Sequence, residues 1–167
     1  MSELSCCLLP GPDLVAHARL AESLGYRRIW VGDSPALYTD VWIAIARIAA
    51  ATETVGLGAA VLIPSLRHVL VNASAIAGIE AMAPGRLAVA VGTGFTGRRM
   101  LGKRPLAWKV VERYVSDLRA LLRGEEATVD GSVIRMCHPR GYAPPRPLET
   151  PILVAANGPK GLAVARA

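Results

Sequence analysis

Gly85-Arg86-Leu87-Ala88-Val89-Ala90-Val91-Gly92-Thr93-Gly94 is the stretch that decides the fold. Leu87 to Val91 is apolar at every position, with a Pro84-Gly85 turn before it and two glycines straight after it. A strand without polar alternation is covered on both faces, which is how parallel sheets are built. On its N-terminal side, Val69 to Met82 carries a helical pattern, and before that Thr54 to Ile63 is another apolar run, ended by Pro64. The same alternation continues outward. Leu4 to Leu9 is a short run stopped by Pro10, Gly11 and Pro12. Asp13 opens a helix with Leu14, Ala18, Ala21 and Leu24 at helical spacing, ended by Gly25. Arg28 to Val31 is the next run, closed by Gly32 and Asp33. Thr39 and Asp40 predict a cap for a helix with Val41, Ile45 and Ile48 inward.

Toward the C-terminus, a helix follows Pro105 with a stripe of Val111, Val115, Leu118 and Leu122, stopped at Gly124. Val129-Asp130-Gly131-Ser132-Val133 predicts a small hairpin, because Asp-Gly suits a type I′ turn. Gly141 to Pro151 is proline-rich loop. Pro151 to Ala156 reads as a fifth buried run, and Asn157-Gly158-Pro159 opens a last helix that is still running at Ala167. The chain is thus a series of βα units in a single domain, 1–167. A doubly wound sheet and a TIM barrel both fit.

Composition agrees. The 167 residues are 52% hydrophobic and 19% charged, which excludes a disordered chain. The three cysteines, Cys6, Cys7 and Cys137, form neither a disulfide framework nor a CxxC metal pattern. The first ten residues lack a basic n-region, and no apolar stretch reaches membrane-spanning length. The expectation is a reduced, cytoplasmic protein with no membrane partner. A net charge of +6 suits anionic ligands.

Chemistry is expected where the strands end. Gly92, Gly94 and Gly97 have GxGxxG spacing, but Arg98 to Pro105 reads as a basic loop where a dinucleotide fingerprint needs a helix. Tight-turn glycines are the plainer reading. Arg98, Arg99, Lys103, Arg104 and Lys109 are either a solvated face or an anion site at the sheet edge. Asn157-Gly158-Pro159-Lys160 presents a helix N-terminus, a second candidate anion site. Asp33 ends the second strand, as a site carboxylate or a loop cap. His68, beside Arg67, is a site residue or a helix start, while His17 and His138 carry no such signal. No Ser-His-Asp order, HExxH or Walker A sequence occurs, which points to a cofactor as the source of the chemistry.

Several pieces taken together resemble the luciferase-like monooxygenase superfamily. They are Ala21-Glu22-Ser23-Leu24-Gly25-Tyr26 leading to Ile29-Trp30-Val31-Gly32-Asp33, and Thr54-Val55-Gly56-Leu57-Gly58-Ala59-Ala60-Val61 followed by Arg67-His68. Gly85-Arg86-Leu87 before Gly92-Thr93-Gly94, and Ala155-Ala156-Asn157-Gly158-Pro159-Lys160, complete the set. Gly94 to Pro105 is most similar to the F420-dependent branch typified by methylenetetrahydromethanopterin reductases. The resemblance implies a TIM (β/α)8-type barrel, here a partial one of about five parallel βα units with a hairpin insertion near 127–136. It implies an oxidoreductase that moves a hydride between coenzyme F420, alternatively FMN, and a small organic substrate. It also implies a non-prolyl cis peptide at Ala60-Val61 behind the cofactor ring, cofactor contacts from Gly92, Thr93 and Gly94, and a phosphate turn at Asn157, Gly158, Pro159 and Lys160. It places Asp33 at the border of the substrate pocket, and Asp33 and His68 are the candidate catalytic residues. A basic mouth favours F420, whose tail is rich in carboxylates, over FMN.

Two further readings stand beside this one. A partial barrel is expected to work as a homo-oligomer or with a second chain that completes it, and on its own it could be non-catalytic. A basic nucleic-acid-binding module is the weaker reading, because few aromatics interleave with the basic residues and no nucleic-acid motif occurs.

Overall fold

The computed structural model describes residues 4–166. Expectations resting on Met1 to Glu3 and on Ala167 lie outside the described residues. The βα units run β1 (Ser5–Leu8), α1 (Leu14–Ser23), β2 (Arg28–Val31), α2 (Val41–Ala51), β3 (Gly56–Leu62), α3 (Val69–Met82) and β4 (Leu87–Val91). There follow a short α4 (Phe95–Arg99), α5 (Trp108–Arg123), a hairpin of β5 (Ala127–Val129) and β6 (Ser132–Ile134), β7 (Ile152–Val154) and α6 (Pro159–Arg166). The hairpin turn falls on Asp130 and Gly131, both at positive φ, as the Asp-Gly dipeptide requires.

The sheet order β1-β2-β3-β4-β7 separates the two candidate folds. Each strand pairs in parallel with the next one in the main sequence of strands. Crossovers of one hand then place every helix on the same face. A doubly wound sheet needs a reversal of strand order, and none is present among the described residues. The helices α1, α2, α3, α5 and α6 contact one another in sequence along the convex face. Their packing buries Leu14, Ile29, Val31, Ile45, Ile48, Leu57, Ile76, Leu118 and Leu121 between helices and sheet.

The opposite, concave face is built differently. Strand register places Cys7, Trp30, Gly58 and Ala88 in one row and Ala60, Ala90 and Leu153 in another. Trp30 lies flat over Gly58, where a Cβ would sit 2.2 Å from the indole. The Arg28 guanidinium stacks on Trp30 at 5.5 Å from its centroid and donates to the carbonyls of Leu57 and Arg86.

Three expectations are corrected. The fifth run is not buried: Leu153 is 43% exposed, because β7 is an edge strand and its residue faces the concave side. The segment after Gly94 is not simply loop. Phe95–Arg99 forms one helical turn before the chain straightens toward Pro105. Leu24 does not complete the α1 stripe; it is the exposed C-cap residue.

Candidate functional site

All five strands of the parallel sheet end at one edge, where β/α folds carry their ligands. There β3 pairs with β4 from Leu57 to Ala60 and then skips a residue, so Leu62 pairs with Val91. Val61 is the extra residue of this bulge, and the Ala60–Val61 peptide is cis. The bulge sets Val61 against Gly92, where a Cβ would lie 3.0 Å from Val61 Cγ2. Gly94 at φ +79° turns the chain into α4 so close to Ile63 that a Cβ would sit 2.6 Å from it. Thr93 anchors the return of the chain, its carbonyl accepting from Leu106 N–H at 2.9 Å. Ala60, Val61, Gly92, Thr93 and Gly94 therefore occupy neighbouring strand ends.

Asp33 is buried at this edge, 4% exposed, and accepts a 2.7 Å hydrogen bond from Arg67 Nη1. The same guanidinium donates to Asp40 at 2.6 and 3.2 Å. Asp40 in turn caps α2 by accepting from the N–H groups of Trp42 and Ile43. Burial pushes the Asp33 carboxyl up, against the pull of Arg67. Burial acts on Asp40 in the same sense, but its Arg67 bonds and N–H donors hold it below the usual range. One arginine thus ties the β2–α2 loop to the β3–α3 loop across the mouth.

On the far strand end, Pro159 starts α6, so the N–H groups of Lys160 and Gly161 lack helical partners. A Cβ on Gly158 would meet nothing within 4 Å, and Asn157, Pro159 and Lys160 are exposed. The basic loop is only partly free. Arg98 is bound to Ser65 and the Arg104 carbonyl, and Arg99 stacks on Phe95 at 5.5 Å.

His68 makes no hydrogen bond to Asp33. Its Nδ1 accepts from Leu70 N–H at 3.2 Å, which caps α3, and its ring lines a separate cleft between α3, α5 and the hairpin. In the sequence Arg67 stands only as one of a pair with His68 and carries no role of its own. The signal was present, in two aspartates flanking one loop and an arginine at the next. Asn72 and Tyr114 carry no such signal, since polar residues inside apolar helical stripes read as surface. Among the described residues no group of three or more His, Cys, Asp and Glu could hold a metal, and no helix is long and apolar enough to cross a membrane.

The family model of luciferase-like monooxygenases matches residues 9–167. The chain belongs to that family. Within it, the chain is 34% identical over 172 residues to an F420-dependent glucose-6-phosphate dehydrogenase of Beutenbergia cavernae, covering 92% of this chain and 49% of that protein. It is 29% identical to a 5,10-methylenetetrahydromethanopterin reductase of Methanolobus tindarius, covering 90% of this chain and 46% of that one. Among solved structures, the coenzyme F420-dependent tetrahydromethanopterin reductase of Methanopyrus kandleri superposes with a TM-score of 0.78 at 21% identity, over 98% of this chain and 52% of that one. The chain spans about half the length of the curated relatives it matches. The fold is that of a luciferase-like barrel, of which these residues form about half.

Proposed function

We propose that this chain forms the cofactor-carrying half of an oxidoreductase that passes a hydride between coenzyme F420 and a small organic substrate. The observation that carries the reading is the strand-end geometry, where the Val61 bulge closes on Gly92 beside the small residues Ala60 and Ala90. Ala60, Val61, Ala90 and Gly92 carry no side chain larger than valine, so a planar ring has room. The open turn at Asn157, Gly158, Pro159 and Lys160 offers N–H groups and an ammonium to a phosphate, and these residues fit a nucleotide-like cofactor. When bound, the deazaflavin supplies the hydride chemistry.

The protein's part is binding and positioning. Ala60, Val61, Gly92, Thr93 and Gly94 support the ring, and Lys160 with the α6 N-terminus holds the phosphate. Asp33 borders the substrate side. Its bond to Arg67 gives it the task of fixing the mouth loops, and no proton transfer is assigned to it. His68, whose ring lies in the outer cleft, is left outside the hydride-transfer machinery. Lys103 and Arg104 supply positive charge for a carboxylate-rich tail, which favours F420 over FMN. Closure of the β1 and β7 edges is assigned to further βα units, in the same polypeptide or in a second chain. Relatives named for glucose-6-phosphate and for methylenetetrahydromethanopterin support a small-molecule substrate.

A fluorescence titration with F420 and, separately, FMN tests this. Saturable F420 binding that Lys160→Glu weakens by about tenfold, the loss expected for a charge-assisted contact, supports the proposal. FMN binding in its place moves the cofactor to the flavin branch. Binding of neither, in a protein whose thermal unfolding stays cooperative, removes the cofactor role from this half.

A further inference from the structure

The cleft beside His68 has a volume of about 620 Å³, within the range of about 300–1,000 Å³ typical of small-molecule sites. Its lining includes none of Asp33, Ala60, Val61 or Gly92 to Gly94. It lies between α3 and α5, which flank the interior strands β3 and β4, away from both free edges of the sheet. Pro64, Val69, Val110 and Val129 give it an apolar lining.

Three of its polar groups, on Tyr114, His68 and Lys109, present donors, and for the first two hydrogen-bond logic fixes this. An indole N–H only donates. Trp42 Nε1 donates to Asn72 Oδ1 at 2.8 Å, so the Asn72 amide nitrogen must point the other way, and it donates to the Tyr114 hydroxyl oxygen. That oxygen is an acceptor there, and the hydroxyl proton is left to donate. It has no acceptor among the described residues, although Tyr114 is 7% exposed and lines the cleft. Burial pushes the Tyr114 phenol up to about 12, so the proton is held at neutral pH. The same reasoning applies to His68. Its Nδ1 accepts from Leu70 N–H, so the neutral ring carries its proton on Nε2 as a donor. Lys109 adds an ammonium that makes no ion pair among the described residues. Of the two carboxylates in the lining, Asp117 is engaged by Arg113 at 3.0 Å, and Asp130 sits at the hairpin turn.

We propose that this cleft is a second ligand site, taking a small apolar molecule that carries a carboxylate. The carboxylate accepts from Tyr114, His68 and Lys109, and the apolar body lies against Val69, Val110 and Val129.

Calorimetry with 4-phenylbutyrate as the probe tests it, with 4-phenylbutanol as the neutral comparison. The readout is heat of binding, so the result does not depend on the F420 reading. Expected are saturable one-to-one binding, at least about tenfold weaker binding of the alcohol, and loss of binding in Val110→Trp, which fills the cleft. Tyr114→Phe and Lys109→Met should each weaken binding by about tenfold. Lys109 is exposed, so its variant folds whether or not Tyr114→Phe does. No heat at millimolar probe, equal affinity for the alcohol, or unaltered binding in Val110→Trp would overturn the proposal. So would a dimer, seen by sedimentation, that Val110→Trp dissociates, because the cleft would then be a subunit contact.

Discussion

Glu22 shows how much one side chain organises. From the end of α1, its Oε1 accepts from the N–H groups of Glu53, Thr54 and Val55 and from the Thr54 hydroxyl, at 2.7–3.1 Å. Burial pushes this carboxyl up, but the donors outweigh it and hold it down to about 2. A folded-state value below the ordinary one contributes stability that is complete above the unfolded value and is lost as pH falls through the folded one. Glu22→Gln should therefore lower the melting temperature at pH 7, and the melting temperature of the variant should fall less between pH 5 and pH 2 than that of the wild type. Thermal unfolding across that window measures both. An unchanged slope would mean that the turn before β3 does not depend on this carboxylate.

Between elements, Arg67 has the corresponding role. It joins the loop before α2 to the loop before α3, and its partner Asp33 is buried. Removing one member of a buried pair typically costs about 3–5 kcal/mol, because the other is left charged and unpaired. Arg67→Met should show a loss of that order in urea unfolding. Arg67→Lys should recover part of it, since one ammonium can reach one carboxylate but cannot fork between two. The long elements at this level are legible in sequence. Val69–Met82 and Leu87–Val91 have the ends that their breakers predict, and Asp40 caps α2 as its position before Val41 predicts. α4 is not legible, because five residues hold no hydrophobic period. It is set by tertiary contacts, Gly94 and Gly97 against Ile63 and Arg98 across to Ser65 and Arg104. The buried Trp42–Asn72–Tyr114 chain is hidden for a related reason. Its three members come from α2, α3 and α5, and no local pattern links them.

Across the whole molecule, apolar strands alternating with helices announce a parallel sheet. Which residues face which side, and whether the strand order reverses, depends on pairings that no single segment encodes. Sequential order makes the two faces unequal, with a helix layer on one and a shallow row of glycine and alanine under Trp30 on the other. The strand ends proposed to cradle a cofactor are legible from resemblance and turn glycines. The clamp at Arg67 and the outer cleft emerged only with the fold. Neighbouring residues of β1 point to opposite sides, and this gives the molecule a built-in gauge. Cys6 packs toward the helices, and burial pushes its thiol up. Cys7 is exposed in the same row as Trp30. A maleimide should alkylate Cys7 and the exposed Cys137 well before Cys6, as peptide mass spectrometry would record. A polypeptide that lids the concave side would silence Cys7 and leave Cys137 reactive, so the ratio of the two adducts would report occupancy of that face without any enzymatic assay.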